Sequence, residues 1–95
     1  MKQFKDKTYN LEKAFLSLKS ETNLIQFLND ICTPKEIASL RERWKISQML
    51  YKKKYSYREI NKITGVSLAT ITRVARFMNN ESNEGYIFAI KRLIK

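Results

Sequence analysis

Gly65 is the residue that most constrains how this chain can fold. It lies within SYREINKITGVSLATITR, residues 56–73, between two short segments that each have helical periodicity. The chain has only two glycines and one proline, so this glycine indicates a turn that requires a positive φ angle. Two helices joined by a turn of three or four residues that contains a glycine form a helix-turn-helix. We therefore predict a helix-turn-helix over about residues 56–78.

Apolar residues on both sides of the glycine are predicted to hold the two helices at their crossing angle. They are Ile60, Val66, Ile71 and Val74. Asn61 departs from the usual pattern, because the close approach of the second helix favours alanine at this position. Its side chain must therefore face outward or form a local hydrogen bond.

Helix-start signals divide the rest of the chain. Thr33 begins a capping box with Glu36, and a proline follows it at the first helical position. Ser56 and Glu59 form a second capping box, and Ser67 can cap the helix that follows the glycine. No alternating run of β-branched residues reaches the length of a strand. The predicted helices cover about residues 9–19, 21–31, 34–53, 56–64, 67–78 and 86–94, with a polar linker at 79–85.

This pattern predicts an all-α fold, a single small domain of about six helices across residues 1–95. A chain of this length buries only a modest core when it folds alone. The apolar stripes on four or five helices present more apolar surface than one such core can bury. In the second helix the stripe consists of Leu24, Phe27, Leu28 and Ile31. We therefore expect a homodimer, with dimerisation helices at about residues 9–53 and 86–94.

Positive charge is concentrated in one part of the chain. The sequence has 19 Lys and Arg against 9 Asp and Glu, a net charge of +10. Between Arg41 and Arg76 lie ten basic residues and only two acidic ones, Glu42 and Glu59. Such a field favours a polyanionic partner, either nucleic acid or an anionic membrane. No window is apolar enough to cross a bilayer, and the basic N-terminus lacks the apolar stretch of a secretory signal. We expect a cytoplasmic protein that binds double-stranded DNA and no membrane.

The second helix of a helix-turn-helix enters the major groove, where its N-terminal residues meet base edges. The exposed candidates for this role are Ser67, Leu68, Ala69, Thr70, Thr72, Arg73 and Arg76. Leu68 and Ala69 can contact thymine methyl groups, and Thr72 can bond to several bases. Residues of the first helix placed for phosphate contacts are Tyr57, Arg58 and Lys62. Together these side chains predict a sequence-specific DNA-binding surface.

The same basic segment permits an alternative, a helical adaptor or general nucleic-acid-binding protein without sequence-specific regulation. Tyr51, Tyr55 and Tyr57 interleave with the lysines at 52–54 and with Arg58, as stacking aromatics do in proteins that bind single-stranded RNA. An enzyme is not expected, because the chain has no histidine, no glycine-rich phosphate loop and no cluster of metal ligands. No catalytic residue, metal site or cofactor is predicted.

The stretch from Thr33 to about Met78 resembles the Trp repressor superfamily. The motifs that carry the resemblance are the helix beginning at Thr33-Pro34 and the run ATITR at residues 69–73. The order of helices, the run from Thr64 to Arg76 and the pair Gly85-Tyr86 are similar to YerC/YecD-type, Trp repressor-related bacterial proteins. The resemblance implies an all-helical, intertwined homodimer with a sequence-specific role in transcription, which we expect to be that of a repressor.

The resemblance also implies a position for a small ligand. In the Trp repressor, L-tryptophan lies between the central helix and the recognition helix. The matching ligand positions in this chain are Thr33, Arg43, Thr70 and Arg73. Where the repressor has a glycine and a serine, this chain has Val74 and Phe77. These larger side chains are expected to fill the pocket, so that DNA binding does not depend on tryptophan, and no other small-molecule effector is identified.

Overall fold

The computed structural model describes residues 9–80 and 83–94. The helices within these ranges are α1 (Leu11–Ser17), α2 (Glu21–Ile31), α3 (Pro34–Lys52), α4 (Tyr57–Thr64), α5 (Leu68–Asn79) and α6 (Gly85–Leu93). The described residues contain no strand, and the predicted all-α fold is confirmed. The basic N-terminal residues 1–8 and residues 81 and 82 of the predicted linker lie outside the described part of the chain. None of the six helices is long and apolar enough to cross a bilayer.

The ends of the helices follow from local hydrogen bonds. α2 spans the predicted residues, and α3 to α6 begin and end within one residue of the prediction. α1 is shorter than the predicted range of 9–19. The side-chain oxygen of Asn10 accepts a hydrogen bond of 2.9 Å from the amide of Lys13, so the helix begins at Leu11. The backbone of Leu18 is extended, and the helix ends before it.

Reciprocal capping pairs begin α3 and α4, as predicted. The amide of Glu36 donates a 3.1 Å hydrogen bond to Thr33 Oγ1, and the Glu36 carboxylate accepts one of 2.8 Å from the amide of Thr33. Ser56 and Glu59 form the same pair, again at 3.1 Å and 2.8 Å. The hydrogen bond from the Thr33 amide is the main reason why the pKa of the Glu36 carboxyl lies below its ordinary value.

Contacts between Cα atoms divide the chain into two compact units, Met1–Ile37 and Ala38–Lys95, and the prediction of a single domain stays a prediction. In the first unit the rings of Phe15 and Phe27 meet edge to face, with their centroids 5.4 Å apart. No residue of α1 or α2 is buried, and Leu16 is 83% exposed. The apolar stripe predicted on α2 is partly covered in one chain, since Leu24, Phe27 and Leu28 are half-buried and Ile31 is 51% exposed.

The core of the unit Ala38–Lys95 lies around the helix-turn-helix. α5 packs against both α4 and α6. The buried cluster consists of Ile46, Ile60, Val66, Ile71 and Val74. It includes the four apolar residues predicted to hold the two helices together, and it adds Ile46 from α3. Fully burying a side chain of this size contributes roughly 1.5–3 kcal/mol, so this cluster is a major source of stability for the second unit.

Candidate nucleic-acid interface

The turn between α4 and α5 depends on the backbone of Gly65. This residue ends α4 with φ of 76° and ψ of 0°, in the left-handed region, and its amide donates a 2.8 Å hydrogen bond to the carbonyl of Asn61. A Cβ atom added at Gly65 would meet no atom within 4 Å. The position therefore requires glycine because of its φ angle, as the sequence predicted, and space plays no part in the requirement.

Two polar side chains hold this turn together. Asn61 Nδ2 donates a 2.7 Å hydrogen bond to the carbonyl of Val66, on the far side of the glycine. Thr64 Oγ1 donates to the carbonyl of Ile60 at 2.7 Å and accepts from the amide of Val66 at 3.1 Å. Asn61 thus takes the second of its two predicted options, a local bond. The contribution of Thr64 was missed, although a threonine directly before a turn glycine is a recognised signal for a side-chain-to-backbone bond.

Ser67 caps α5, the predicted recognition helix. Its Oγ accepts a 3.2 Å hydrogen bond from the amide of Thr70 and donates one of 3.1 Å to Thr70 Oγ1. Thr70 is half-buried and its hydroxyl takes part in this cap, so it is less available to a base than the sequence predicted. The remaining candidates for base contacts are exposed, and they are Ser67, Leu68, Ala69, Thr72, Arg73 and Arg76.

The three residues predicted to contact phosphates are also exposed. Tyr57 and Arg58 lie in the first turn of α4, and Lys62 lies in its last turn. Neither Arg58 nor Lys62 has an ion pair or a side-chain hydrogen bond within the described ranges. Their charges are therefore available to an external anion.

The ring of Phe77 lies beside two of the predicted DNA-binding arginines. The guanidinium carbon of Arg73 is 4.9 Å from the centroid of this ring, and that of Arg76 is 5.3 Å away. Both distances fall in the range of a cation–π contact. Phe77 thereby restricts both side chains, a role that sequence reasoning missed. The spacing of four residues between Arg73 and Phe77 on one helix was the available signal.

A cleft of about 480 Å³ lies beside α5, where the ligand pocket was predicted. Four of the six predicted pocket residues line it, namely Arg43, Arg73, Val74 and Phe77. Trp44 and Tyr86 line it as well, and the sequence had not indicated them. Of the two other predicted residues, Thr33 caps α3, and the Thr70 hydroxyl accepts a hydrogen bond from Ser67, the residue that caps α5.

The expectation that Val74 and Phe77 fill this cleft stays a prediction. Val74 is buried in the core cluster, as a structural residue would be. Phe77 is only half-buried, and its ring lies against the two arginines, so space remains beside it. Arg43 is held at the cleft by a 3.0 Å hydrogen bond to Ser39 Oγ.

Comparison with known proteins gives concordant matches along nearly the whole chain. Residues 7–94 match the family model described as Trp repressor protein. The Bacillus subtilis (strain 168) protein YerC, itself uncharacterized, is 39% identical over 83 residues, which are 87% of this chain and 78% of that protein.

Solved structures agree with this match. The crystal structure of a TrpR-like protein from Eubacterium eligens ATCC 27750 is 37% identical and has a TM-score of 0.81, over 98% of this chain and 95% of that one. A second crystal structure, from Staphylococcus aureus, is 32% identical with a TM-score of 0.81, over 97% of this chain and 91% of that one.

Proposed function

Because the chain belongs to the Trp repressor protein family and is of its YerC type, we propose that it is a transcriptional regulator that binds double-stranded DNA through α4 and α5. The observation that carries the proposal is the helix-turn-helix together with the solvent-facing cations of α4. Asn61 and Thr64 hold the turn, and Arg58 and Lys62 face solvent with no internal anion in the described ranges. A fixed reading helix beside free positive charge is what DNA recognition requires.

In this proposal α5 contacts the DNA bases, and α4 fixes the position of the protein along the DNA. Leu68, Ala69 and Thr72 meet base edges in the major groove, while Tyr57, Arg58 and Lys62 contact phosphates. Arg73 and Arg76, restrained by the Phe77 ring, reach the groove wall or a guanine edge with fewer accessible conformations. Less side-chain entropy is then lost when DNA binds.

The active form in this proposal is a homodimer. The support is the accessible apolar surface of α1 and α2, neither of which buries a single residue in one chain. Exposed apolar side chains such as Leu16 and Ile31 on neighbouring helices indicate an interface, and a second copy of the chain offers the matching apolar surface. A twofold dimer presents two recognition helices to half-sites about 34 Å apart on one face of DNA.

The proposed regulator represses transcription in the cytoplasm without tryptophan and without enzymatic activity. Its reading helix does not need a ligand for support, because side-chain bonds hold the turn and Val74 anchors α5 in the core. Arg73, which occupies a position that matches the tryptophan site of the repressor, lies against the Phe77 ring. The cleft beside α5 is therefore poorly suited to tryptophan, and the reading helix is ready to bind in its absence.

Selection of bound duplexes from a random DNA pool tests this function directly. The expected product is an enriched palindrome with half-sites one helical turn apart, selected by the unaltered protein at moderate salt. The variant with Leu68→Ala and Thr72→Ala serves as the matched control, because it keeps every basic residue. It should retain binding to random DNA and lose the enrichment. A pool that stays random after selection by the unaltered protein would contradict the proposal and favour the general nucleic-acid binder.

A further inference from the structure

A second cleft in the unit Ala38–Lys95, here called the tyrosine cleft, shares only Tyr57 with the proposed duplex-binding surface. It measures about 690 Å³, within the range of about 300–1,000 Å³ that is usual for ligand sites. Its aromatic and polar lining residues are Tyr51, Tyr55, Tyr57, Lys53 and Asn79, and the remaining lining residues are apolar. The fold thus brings the end of α3, the start of α4 and the end of α5 together around one space.

The three tyrosines are accessible to a ligand in a single chain, and Tyr51 belongs to the range 9–53 that is predicted to take part in dimerisation. Tyr51, Tyr55 and Tyr57 are 37%, 39% and 42% exposed. Within the described ranges, none of them has a ring contact or a side-chain hydrogen bond to another residue. Three ring faces and three hydroxyl groups therefore share one cleft without internal partners. Buried or ligand-bound tyrosines normally use both features, the apolar ring and the polar tip.

Charge around the tyrosine cleft favours an anion. Lys53 lines it, and Lys52, Lys54 and Arg58 are its exposed neighbours in sequence. None of these cations has an ion pair within the described ranges, and no acidic residue lines the cleft. The nearest carboxylate along the chain, that of Glu59, accepts the 2.8 Å hydrogen bond from the Ser56 amide. A ligand here meets flat aromatic rings within a positive field.

We propose that the tyrosine cleft binds single-stranded RNA. Unpaired bases stack on aromatic rings while lysines follow the phosphates, which is how proteins hold single strands. A duplex cannot use this cleft, because its bases are already stacked inside the helix. The Asn79 amide and the tyrosine hydroxyls supply donors and acceptors for a ribose 2′-hydroxyl, which favours RNA over single-stranded DNA. This activity goes beyond the proposed function and does not rest on it.

Fluorescence anisotropy of the full-length protein with labelled 12-mers of uridylate and deoxyuridylate tests the proposal. We expect the uridylate 12-mer to bind more tightly than the deoxy form. A Tyr51→Ala, Tyr55→Ala double variant should bind it about tenfold more weakly, because stacking is lost. The Tyr51→Phe, Tyr55→Phe variant keeps the aromatic rings, so its affinity for the uridylate 12-mer should fall much less. Thr72→Ala, on the reading face of α5, should leave RNA affinity unchanged while it weakens binding of the selected duplex.

Several results would overturn the proposal. The first is equal affinity for the two 12-mers, and the second is an alanine variant with unaltered RNA affinity. The third is a dimer that dissociates when the tyrosines are replaced, because the cleft would then be an interface between copies. A second measurement needs no variant. Photocross-linking of a thiouridine 12-mer to the unaltered protein should label the segment 51–57, and labelling confined to residues 68–76 of α5 would contradict the site. Because Thr72→Ala tests duplex binding separately, either activity can fail without the other.

Discussion

The side-chain amide of Asn61 donates a 2.7 Å hydrogen bond to the carbonyl oxygen of Val66, across the turn of the helix-turn-helix. Asn61→Ala leaves this carbonyl without its partner in a half-buried position. We expect the free energy of unfolding to fall by about 1 kcal/mol, as measured by urea denaturation. Asn29→Ala, an exposed change in α2, is the control and should stay within about 0.5 kcal/mol of the unaltered protein. Equal stability of both variants would show that the bond does not support the turn.

The left-handed backbone of Gly65 makes a second prediction. Gly65→Ala should destabilise the protein by about 1–2 kcal/mol, because a Cβ atom is strained at a φ of 76° even though no neighbouring atom blocks it. Gly65→Asn should destabilise the protein less than Gly65→Ala, since asparagine adopts the left-handed conformation more readily than alanine. Gly85→Ala provides a matched control, because it adds a Cβ into open space outside the left-handed region. Of the three variants, Gly65→Ala should have the lowest free energy of unfolding in urea denaturation.

Arg58 and Thr72 are expected to affect DNA binding in different ways. Arg58→Ala removes a phosphate contact, so affinity for all duplexes should fall by a similar factor and the dependence on salt should become less steep. Thr72→Ala or Leu68→Ala should cost about 1–3 kcal/mol on the preferred site and relax the preference at one base pair. Gel-shift titrations at several salt concentrations separate these effects. A changed sequence preference for Arg58→Ala alone would mean that α4, and not α5, reads the bases.

The cleft beside α5 leads to a prediction about tryptophan. Calorimetric titration of the unaltered protein with L-tryptophan should show no binding at micromolar concentration. The physical reason is that Phe77 occupies part of the space and its ring lies 4.9 Å from the Arg73 guanidinium, which a carboxylate would need. The Val74→Gly, Phe77→Ser double variant enlarges the cleft and frees the arginine, so binding gained by this variant would support the argument. Micromolar binding by the unaltered protein would refute it.

Glu36 makes the stability of α3 depend on pH. Its pKa is lowered, chiefly by the hydrogen bond from the Thr33 amide and also by the Thr33 hydroxyl. A group with a lowered pKa stabilises the folded state above the unfolded value, about 4.3 for glutamate, and loses this contribution as pH falls through the folded value. Glu36→Gln should therefore flatten the fall in stability below about pH 4.3. In an NMR titration, Thr33→Ala should raise the Glu36 pKa part of the way, because the amide donor remains.

Local signals made most of the fold predictable. The pairs Thr33–Glu36 and Ser56–Glu59 lie three residues apart, and Gly65 fixes its own backbone, so each helix start or turn could be read from a few adjacent residues. The contact made by Phe77 could not be predicted in this way. Its contact with Arg73 depends on the rotamers that both side chains adopt, and helical spacing permits the contact without requiring it.

The two clefts were harder to predict because distant segments form them. Tyr86 of α6 joins Arg43 of α3 and Val74 of α5 only after the helices have packed. The tyrosine cleft likewise combines the tract after α3 with Asn79, more than twenty residues further along the chain. The sequence showed that tyrosines and lysines interleave, but the pattern alone did not show that their side chains surround one space.

The absence of any buried residue in α1 and α2 has a consequence for how the amount of protein controls its activity. In the proposed dimer these helices gain further hydrophobic stabilisation when a second chain covers them, so folding and association become coupled equilibria. Freshly made chains at low abundance would remain partly open and exposed to proteases. Doubling the synthesis rate would then raise the concentration of the DNA-binding form more than twofold. The response of the target genes to expression level would therefore be steeper than linear, without any allosteric ligand.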